Sequence, residues 1–440
     1  MTTATATRVV KDATCTFCGC LCDDIELTVT GDRITEAVNA CDLGRAWFLD
    51  QPADDSRPEA LIGGAPAPVE RALDEAAAVL MAARSPLVYG LSDTTVEAQR
   101  AAVEIADLLG ACLDSETSRR HGPSLVAMQA VGKVTCTLGE IKNRADVIVV
   151  WGGDPVESHP RHFGRVSAAA TGLFVPRGRA DRYVAVVDVR ETATARTADR
   201  FLQVRPGKAL ELLWALRALV KDVAVNPQIE SETGVSLEAL AELVERMKRA
   251  RYGVLLYGAD RSAARGEPYE SAALLALARD LNQHTRFVAQ AIGGRGNAAG
   301  ADNVLSWSTG YPFAISLGRG YPRSNPGEFS AADLLARGEV DAALVVAANP
   351  VSEFPPAAAE RLERIPTIAL GPHPSKTARI ARVAFTTAVY GISVAGTAYR
   401  VDDVAIRLRP ALPSRFRSDE DILRAIAGRI RARQAQPVRS

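Results

Sequence analysis

Short apolar runs alternate with amphipathic helical patterns through most of the chain. The runs at 147–151, 184–188, 254–257, 342–346 and 367–370 are continuous and strand-sized, and helical patterns lie near 209–222, 236–250 and 268–282. This alternation is typical of parallel sheets that helices cover on both faces. The sequence therefore predicts an α/β protein with mostly parallel sheets. Its ligands are expected in the loops after residues 151, 188, 257 and 347, at the carboxyl ends of strands.

Length and charge narrow the possible classes of protein. The chain has 440 residues, too many for one ordinary domain, and its 47% hydrophobic fraction provides a sizeable core. Its 52 basic residues balance 52 acidic ones, so net charge favours neither nucleic acid nor an anionic membrane as a partner. No run approaches the roughly 20 apolar residues of a spanning helix, and residues 1–13 lack the apolar core of a secretory signal. The expected location is the cytoplasm.

The cysteines are concentrated near the N-terminus. Cys15, Cys18 and Cys22 follow one another closely and Cys41 stands apart, with Cys20 as a spare thiol inside the loop. Thiolates on one tight turn, closed by a distant fourth, favour a [4Fe–4S] cluster. Zinc sites more often pair two Cys-x-x-Cys knuckles, and the second knuckle is missing here. The alternatives to a cluster are therefore a zinc site and a set of reduced thiols without metal.

Ordered motifs from residue 15 to about residue 410 resemble the pterin-binding catalytic subunit, the B subunit, of the formylmethanofuran dehydrogenases. They are Cys15-Thr-Phe-Cys18-Gly-Cys-Leu-Cys22-Asp-Asp, Asn39-Ala-Cys41, His121-Gly-Pro-Ser124, the segment 135–146, Trp151-Gly, His159-Pro-Arg-His162, the segments 310–313 and 319–323, and the segment 396–402. The wider clan, the molybdopterin oxidoreductases, shares the segments 188–195 and 205–207. Within the family, we expect the closest resemblance to be to the B subunit of the bacterial formyltransferase/hydrolase complex.

The resemblance implies a fold like domains I–III of formate dehydrogenase and DMSO reductase, without their C-terminal β-barrel. We expect three interleaved domains. They are an N-terminal cysteine-rich domain at 1–56, rejoined by 391–440; an α/β domain at 57–142 and 301–390; and an inserted Rossmann-like domain at 143–300. A separate partner subunit would supply the β-barrel.

The resemblance also implies a bis-pterin metal site beside the cluster. Its pterin-nucleotide region would comprise Asp188, Arg190, Thr192, Thr194 and Gly207, and its candidate catalytic residues are His121 and Arg295. The physical alternative for the loop that follows residue 188 is a polar turn that caps the next helix. His159 and His162 could bind a metal, but structural hydrogen bonding is the favoured interpretation of this pair.

Three departures from the family pattern point the same way. Arg120 stands where the family has the cysteine or selenocysteine that ligates tungsten or molybdenum, and a guanidinium offers donors alone. Ala209 stands where relatives often have an aspartate that reads the pterin nucleotide. Leu43 replaces a lysine that many clan members place between cluster and pterin. We therefore expect the tungsten or molybdenum bis-pterin to be absent, with Arg120 reaching into its vacated pocket.

Two functions follow from the resemblance. The favoured one is the B subunit of a formyltransferase/hydrolase complex in tetrahydromethanopterin-linked oxidation of formaldehyde to formate, where this chain is a redox-inactive scaffold. Its partners would be an amidohydrolase-like A subunit that carries out the hydrolysis, and the C and D subunits. The alternative is an active formylmethanofuran dehydrogenase, an oxidoreductase that interconverts carbon dioxide or formate and the formyl level. A free-standing nucleotide-binding protein is a third, less specific interpretation.

Overall fold

The computed structural model describes residues 6–51, 56–120, 122–258 and 267–435, with Arg120 and Glu267 described as backbone. The strands are β1 Thr7–Ala13, β2 Ile25–Thr30, β3 Arg33–Val38, β4 Ala60–Ile62, β5 Ala65–Pro66, β6 Pro86–Gly90, β7 Cys112–Ser115, β8 Val147–Trp151, β9 Tyr183–Asp188, β10 Arg200–Gln203, β11 Gly253–Gly258, β12 Phe287–Ile292, β13 Ile315–Ser316, β14 Arg323–Ser324, β15 Ala342–Val346, β16 Thr367–Gly371, β17 Val383–Thr386, β18 Gly396–Tyr399 and β19 Ala405–Leu408. The helices are α1 Asp42–Leu49, α2 Val69–Ala82, α3 Val96–Leu109, α4 Thr117–Arg120, α5 Gly122–Val131, α6 Leu138–Arg144, α7 Pro155–Ser158, α8 Ala209–Val220, α9 Gln228–Thr233, α10 Leu237–Lys248, α11 Glu267–Leu281, α12 Ala298–Thr309, α13 Ala331–Ala336, α14 Pro350–Glu353, α15 Pro356–Arg364, α16 Lys376–Ile380 and α17 Asp419–Gln434.

The chain forms two compact units. The first combines the residues up to Ser118 with those from Arg295 onward, and the second spans Arg119–Gly294. The predicted division into three domains, with its boundaries, stays a prediction. No helix of the described residues is long and apolar enough to cross a membrane.

The large sheet of the first unit has nine strands in the order β14-β13-β7-β6-β15-β16-β17-β4-β5. Its five central strands, β7 to β17 in that order, are parallel, and the outer strands are antiparallel. Helices α2, α3 and α17 pack their apolar side chains on one face, and α13 and α15 on the other. The predicted buried runs form these strands because continuous apolar residues suit a sheet that is covered on both faces.

The sheet of the second unit contains five parallel strands in the order β10-β9-β8-β11-β12. Helices α8, α10 and α11 bury their apolar stripes against it. Parallel strands therefore dominate both sheets, as the sequence predicted. The predicted α/β fold class is confirmed.

A small antiparallel sheet, β1-β2-β3, carries the cysteines of the first unit. Residues 25–29, Ile-Glu-Leu-Thr-Val, alternate between apolar and polar and precede Gly31 and Asp32, a pattern that predicts a hairpin. Strands β2 and β3 form that hairpin and turn at these two residues. Residues from the C-terminal part, Ile392, Ala411 and Leu412, pack into the same apolar cluster as Cys15 and Cys22.

Candidate functional site

The cysteine loop lies between β1 and β2 and folds back on itself. The Cys15 amide donates to the Cys22 carbonyl at 2.9 Å, and the Leu21 amide donates to the Cys18 carbonyl at 3.2 Å. Leu21 adopts a left-handed conformation, with φ of 36°, which tightens the turn. Cys15, Cys20 and Cys22 are buried, and Cys18 is half-buried. The backbone thus gathers the first three predicted ligands and Cys20 on one turn.

Cys41 reaches this loop from the start of helix α1. It is the N-cap of that helix, and its Sγ accepts a hydrogen bond from the Gly44 amide at 3.4 Å. A Cβ built on Gly44 would lie 3.1 Å from Cys15 Sγ and 3.6 Å from Cys41 Sγ. The two sulfurs therefore approach one point above the first helical turn, where a side chain larger than glycine would crowd them.

The thiols of this region influence one another electrostatically. Burial raises the pKa of Cys15, and neighbouring Cys18, Cys22 and Cys41 raise that pKa further. A hydrogen bond from Cys20 lowers the pKa of Cys18, and the same bond raises the pKa of Cys20 well above its usual value. Burial and the neighbouring sulfurs therefore disfavour the thiolate forms of Cys15 and Cys20 unless a cation compensates the charge.

The four predicted cysteine ligands are expected to hold a [4Fe–4S] cluster rather than one ion. No group of three or more His, Cys, Asp or Glu side chains in the described ranges is arranged to hold a metal ion. A [4Fe–4S] cluster differs, because each of its four irons takes a separate thiolate, and the sulfurs need not converge on one centre. The chain has the required number of thiols around one loop and one helix start. The cluster itself stays a prediction.

Arg295, a predicted catalytic candidate, lies beside the cysteine loop. Its backbone forms an antiparallel bridge with Cys18. The next residue, Gly296, has φ of 46°, and a Cβ there would lie 2.1 Å from Tyr390 Oη and 2.4 Å from Asp93 Oδ1. Glycine is therefore required for the Arg295 loop to pass between the cysteine loop and these two polar side chains.

Tyr390 and Asn297 hold this loop in place, and sequence reasoning missed both. Tyr390 Oη donates to the Thr16 carbonyl at 3.2 Å, while Thr16 Oγ1 donates to the Tyr390 carbonyl at 3.2 Å. The Asn297 amide group donates to the Thr94 carbonyl at 2.9 Å and accepts from the Tyr399 amide at 2.6 Å. Burial raises the pKa of Tyr390 well above its usual value, and the nearby carboxyl of Asp93 adds to the shift. The phenol is therefore held in its neutral form.

Asp114 anchors the end of β7, just before the motif that carries Arg120. It accepts hydrogen bonds from the Ala331 amide at 2.7 Å, the Ala314 amide at 2.9 Å and Ser118 Oγ at 2.8 Å. Burial nevertheless raises the pKa of Asp114 to about 6. His121 lies outside the described residues, and so does the side chain of Arg120. Their predicted roles therefore stay predictions.

The predicted pterin-nucleotide residues of the second unit are largely occupied by internal hydrogen bonds. Asp188 Oδ1 accepts from the Val189 amide at 2.6 Å, and Thr192 Oγ1 accepts from the Ala195 amide at 3.1 Å. Thr194 Oγ1 donates to Asp154 Oδ1 at 2.5 Å. These contacts agree with the alternative of a polar turn that organises its own backbone, and they leave fewer groups for a ligand.

Arg190 and Gly207 remain accessible in the same unit. The Arg190 side chain is exposed. Gly207 follows β10 with φ of 77°, and a Cβ there would meet no atom within 4 Å. Ala209, one of the three departures, is buried at the start of α8, and Lys208 pairs with Glu211 at 2.7 Å. The residues after Gly207 therefore help to form a helix start.

Asp154 is a further residue that the sequence interpretation missed. It follows β8, and its carboxylate accepts from the Ala193 amide at 3.1 Å and the Thr194 amide at 3.0 Å. Asp154, in the loop after β8, thereby holds the neighbouring loop after β9 in place. The sequence signal that could have identified it is the Asp-Pro pair that begins three residues after the end of a buried strand.

His159 and His162 are buried and bond to serines. His159 Nδ1 lies 2.9 Å from Ser158 Oγ, and His162 Nδ1 lies 3.3 Å from Ser167 Oγ. His162 begins a short π-helix, His162–Val166. These contacts agree with the favoured interpretation of the pair as structural.

Known proteins resemble this chain over nearly its whole length. No protein-family profile matches the chain. The chain is 40% identical over 432 residues to the B subunit of tungsten-containing formylmethanofuran dehydrogenase 2 of Methanocaldococcus jannaschii, covering 96% of this chain and 99% of that protein. The equivalent protein of Methanococcus maripaludis is 37% identical with the same coverage. The B subunit of the formyltransferase/hydrolase complex Fhc of Methylorubrum extorquens is 31% identical over 300 residues, 66% of this chain and 75% of that protein.

Solved structures give the same result for the fold. The crystal structure of the formyltransferase/hydrolase complex FhcABCD from Methylorubrum extorquens, in complex with methylofuran, matches with a TM-score of 0.73 and 29% identity, covering 86% of this chain and 100% of that chain. Acetylene hydratase from Pelobacter acetylenicus matches with a TM-score of 0.71, covering 98% of this chain and 70% of that chain, and its 12% identity supports the fold alone. The architecture is that of the molybdopterin oxidoreductases.

Sequence identity over nearly the whole chain defines a family more narrowly than a shared fold does. The chain belongs to the family of formylmethanofuran dehydrogenase B subunits. The predicted family, and the predicted similarity to the B subunit of the formyltransferase/hydrolase complex, are confirmed.

Proposed function

We propose that this chain is the B subunit of a multi-subunit, formylmethanofuran dehydrogenase-like assembly and serves it as a redox-inactive scaffold. The observation that carries this proposal is Arg120, at the position where the family supplies a metal-binding thiolate. A guanidinium stays protonated and has no lone pair to donate, so it cannot replace that ligand. Ala209 in a helix start and Leu43 in α1 add to the argument, because neither supplies the polar group that the family pattern has there.

The similarity to the FhcABCD complex supports membership in an assembly. In this role the chain would work in tetrahydromethanopterin-linked one-carbon metabolism, with the formyl group on a furan carrier. An amidohydrolase-like A subunit would release formate, and the C and D subunits would complete the complex. Cys15, Cys18, Cys22 and Cys41 would hold a [4Fe–4S] cluster. Such a cluster supplies one-electron transfer and also cross-links the cysteine loop to α1.

An active dehydrogenase is the second candidate, and two observations favour it. The relatives that match over 99% of their length are tungsten-containing dehydrogenases by name. The chain, moreover, has a full set of four predicted cluster ligands, with Cys15, Cys18 and Cys22 in the cysteine loop and Cys41 at the start of α1. This candidate needs another ligand in place of Arg120. The thiol nearest in sequence, Cys112, lies at the start of β7, and the next, Cys136, is buried beside Tyr252 in the second unit.

Elemental analysis of the anaerobically purified complex separates the two candidates. The scaffold predicts iron from the cluster, zinc from the amidohydrolase-like partner, and neither tungsten nor molybdenum in stoichiometric amount. A stoichiometric content of either heavy metal, together with bound pterin dinucleotide, would establish the dehydrogenase instead.

Substitution of Arg120 provides a second test on the same complex. We expect Arg120→Ala to retain most of the formate release, because the chemistry lies in a partner, and Arg120→Cys to remain without dehydrogenase activity. Arg119→Ala is the matched control. Loss of hydrolysis in Arg120→Ala, with intact assembly and an unaffected control, would contradict a scaffold role for this position.

A further inference from the structure

Three large aromatic side chains are exposed on a short segment of the first unit. Trp307 is 51% exposed, Tyr311 is 37% exposed and Tyr321 is 54% exposed. Aromatic side chains carry a large apolar area whose exposure to water is unfavourable. We call these three residues and Arg319, which lie within 15 residues of sequence, the aromatic surface. Their sequence neighbours Ser308, Thr309 and Pro322 line one cavity, which places the end of α12 beside the β13–β14 turn. The aromatic surface lies on family motifs that the proposed function leaves unexplained.

The elements that carry the aromatic surface are well anchored. Helix α12 ends at Thr309, whose Oγ1 donates to the Leu305 and Tyr311 carbonyls at 2.8 and 3.2 Å. Trp307 packs edge-on against Tyr399, with 6.0 Å between ring centroids. Strands β13 and β14 pair across a turn in which the Gly320 amide donates to the Leu317 carbonyl at 2.9 Å. These contacts fix the backbone of both elements and the Trp307 ring, which reduces the conformational entropy that binding would cost.

The charge of this segment is one-sided. From residue 303 to residue 327 the sequence contains no aspartate or glutamate but includes Arg319 and Arg323. Arg323 stacks over the Phe329 ring at 4.9 Å and thus packs within the unit. Arg319 is exposed at the tip of the turn. Exposed arginine among tyrosine and tryptophan is the composition enriched at the centres of protein interfaces.

A cavity of about 420 Å³ opens beside the aromatic surface. Ser308, Thr309, Leu317 and Pro322 line one side, and α3 and α17 line the other. Its charged residues are balanced, because Arg100 and Arg424 face Glu104 and Asp107. Arg424 and Glu104 are also paired within the fold, with Glu420 and Arg431. The cavity therefore suits an uncharged side chain of a partner.

We propose that the aromatic surface is the docking site for another protein subunit of the assembly. That subunit presents a carboxylate to Arg319, apolar side chains to Trp307 and Tyr321, and an uncharged side chain to the cavity. This inference rests on the proposed function, since it requires the chain to work inside a complex. It adds the contact face and the chemistry of the partner.

The test uses the co-expressed complex and three variants, Trp307→Ala, Tyr321→Ala and Arg319→Glu. We expect each to weaken subunit binding by about tenfold or more, the range of interface hot spots. Tyr321→Ala and Arg319→Glu should leave the melting temperature of the isolated chain unchanged, whereas Trp307→Ala also removes the packing on Tyr399 and should lower it. Arg319→Gln should weaken binding less than Arg319→Glu, because it removes attraction without adding repulsion. The matched controls are Trp214→Ala and Arg249→Glu, since these side chains are 55% and 83% exposed in the second unit.

The possible results separate the two proposals. Complexes that form equally well with the variants and with the controls would overturn the docking site and leave the proposed function intact. A wild-type chain that purifies without any partner would contradict the proposed function and the docking site together. A homodimer that these substitutions dissociate would also overturn the docking site, because the occupant would then be a second copy of the chain.

Discussion

The two sheets share one arrangement of five parallel strands, although the chain forms the strands of that arrangement in a different order. In the first unit the order β17-β16-β15-β6-β7 corresponds to β10-β9-β8-β11-β12 in the second. The registers agree, since Val147 pairs with Gly253 as Ala342 pairs with Pro86. In the second unit the chain makes β8, β9 and β10 before β11 and β12. In the first unit β6 and β7 come first, and the whole second unit separates them from β15.

The equivalent loops share one backbone device. Gly152 and Ala347, each just after a strand, are left-handed, with φ of 59° and 49°. Asp154 and Asn349 then adopt φ of −124° and −128°. Asn349 Oδ1 accepts from the Thr377 amide and hydroxyl at 3.2 and 3.0 Å, as Asp154 accepts from Thr194.

The difference between the loops lies in charge. Asp154 is a carboxylate that accepts an additional amide, that of Ala193, whereas the Asn349 amide donates to Ser352 Oγ at 3.0 Å. At the ends of the equivalent strands the second unit has Asp188, and the first unit has Gly371. The same loop geometry can therefore be built on an acid or on an amide. Backbone hydrogen bonding preserves the geometry, while the charge at the strand ends varies.

The largest expected difference between the units is in pH dependence. Asp114 on β7 corresponds to the buried Gln290 on β12 by strand register. Because burial raises the folded-state pKa of Asp114 from 3.8 to about 6, its protonation stabilises the fold, by about 3 kcal/mol. That contribution is complete below pH 4, falls as the pH rises to about 6, and is absent above. Urea titrations between pH 4 and pH 7 measure it.

Two substitutions sharpen this comparison. Asp114→Asn should reduce the pH dependence in the first unit, where burial also raises the pKa of Asp302 and Asp419, and Gln290→Glu should introduce a pH dependence in the second. Trp47 and Trp307 lie in the first unit and Trp151 and Trp214 in the second, so variants that retain one of these pairs report on one unit. An undiminished pH slope in Asp114→Asn would show that another group causes it.

A smaller difference is expected at the acid–amide pair. Asp154→Ala should lower the free energy of unfolding by about 2 kcal/mol, because two amides and a hydroxyl lose a charged acceptor. Asn349→Ala should cost about 1 kcal/mol, since its acceptor is neutral. Denaturant unfolding of both variants, with Ser352→Ala as a control for the Asn349 side-chain contact, measures these costs. Equal costs would mean that the charge of Asp154 adds nothing.

The smallest expected effect concerns the left-handed position. Ala347→Gly should stabilise the first unit by up to about 1 kcal/mol, because glycine adopts φ of 49° without a Cβ penalty. Gly152→Ala should destabilise the second unit by about 1 kcal/mol for the same reason. Thermal unfolding of both variants measures these two changes in stability. Shifts of the same sign at the two positions would disprove their equivalence.

Several elements followed from local sequence. The buried strands at 147–151 and 342–346 were predicted from continuous apolar runs, and the β2–β3 hairpin was predicted from its turn at Gly31. Helix α12, Ala298–Thr309, was not among the predicted helical patterns. Its buried face consists of small residues, Ala298, Gly300 and Ala301, with Val304 and Leu305, which produce a weak helical pattern. The equivalence of Asp154 and Asn349 was missed because the matching strands occur in a different order along the sequence in the two units.

The sequence alone determined the class of the fold, the cysteine spacing and the identity of Arg120, because strand periodicity, thiol spacing and side-chain chemistry are local properties. The tertiary structure decided which residues meet. It brought Gly296 against Tyr390 and Asp93, directed the Thr192 and Thr194 hydroxyls to their own loop, and placed Asp114 where burial raises its pKa. These outcomes depend on contacts between residues far apart in the chain, and packing specifies such contacts in three dimensions.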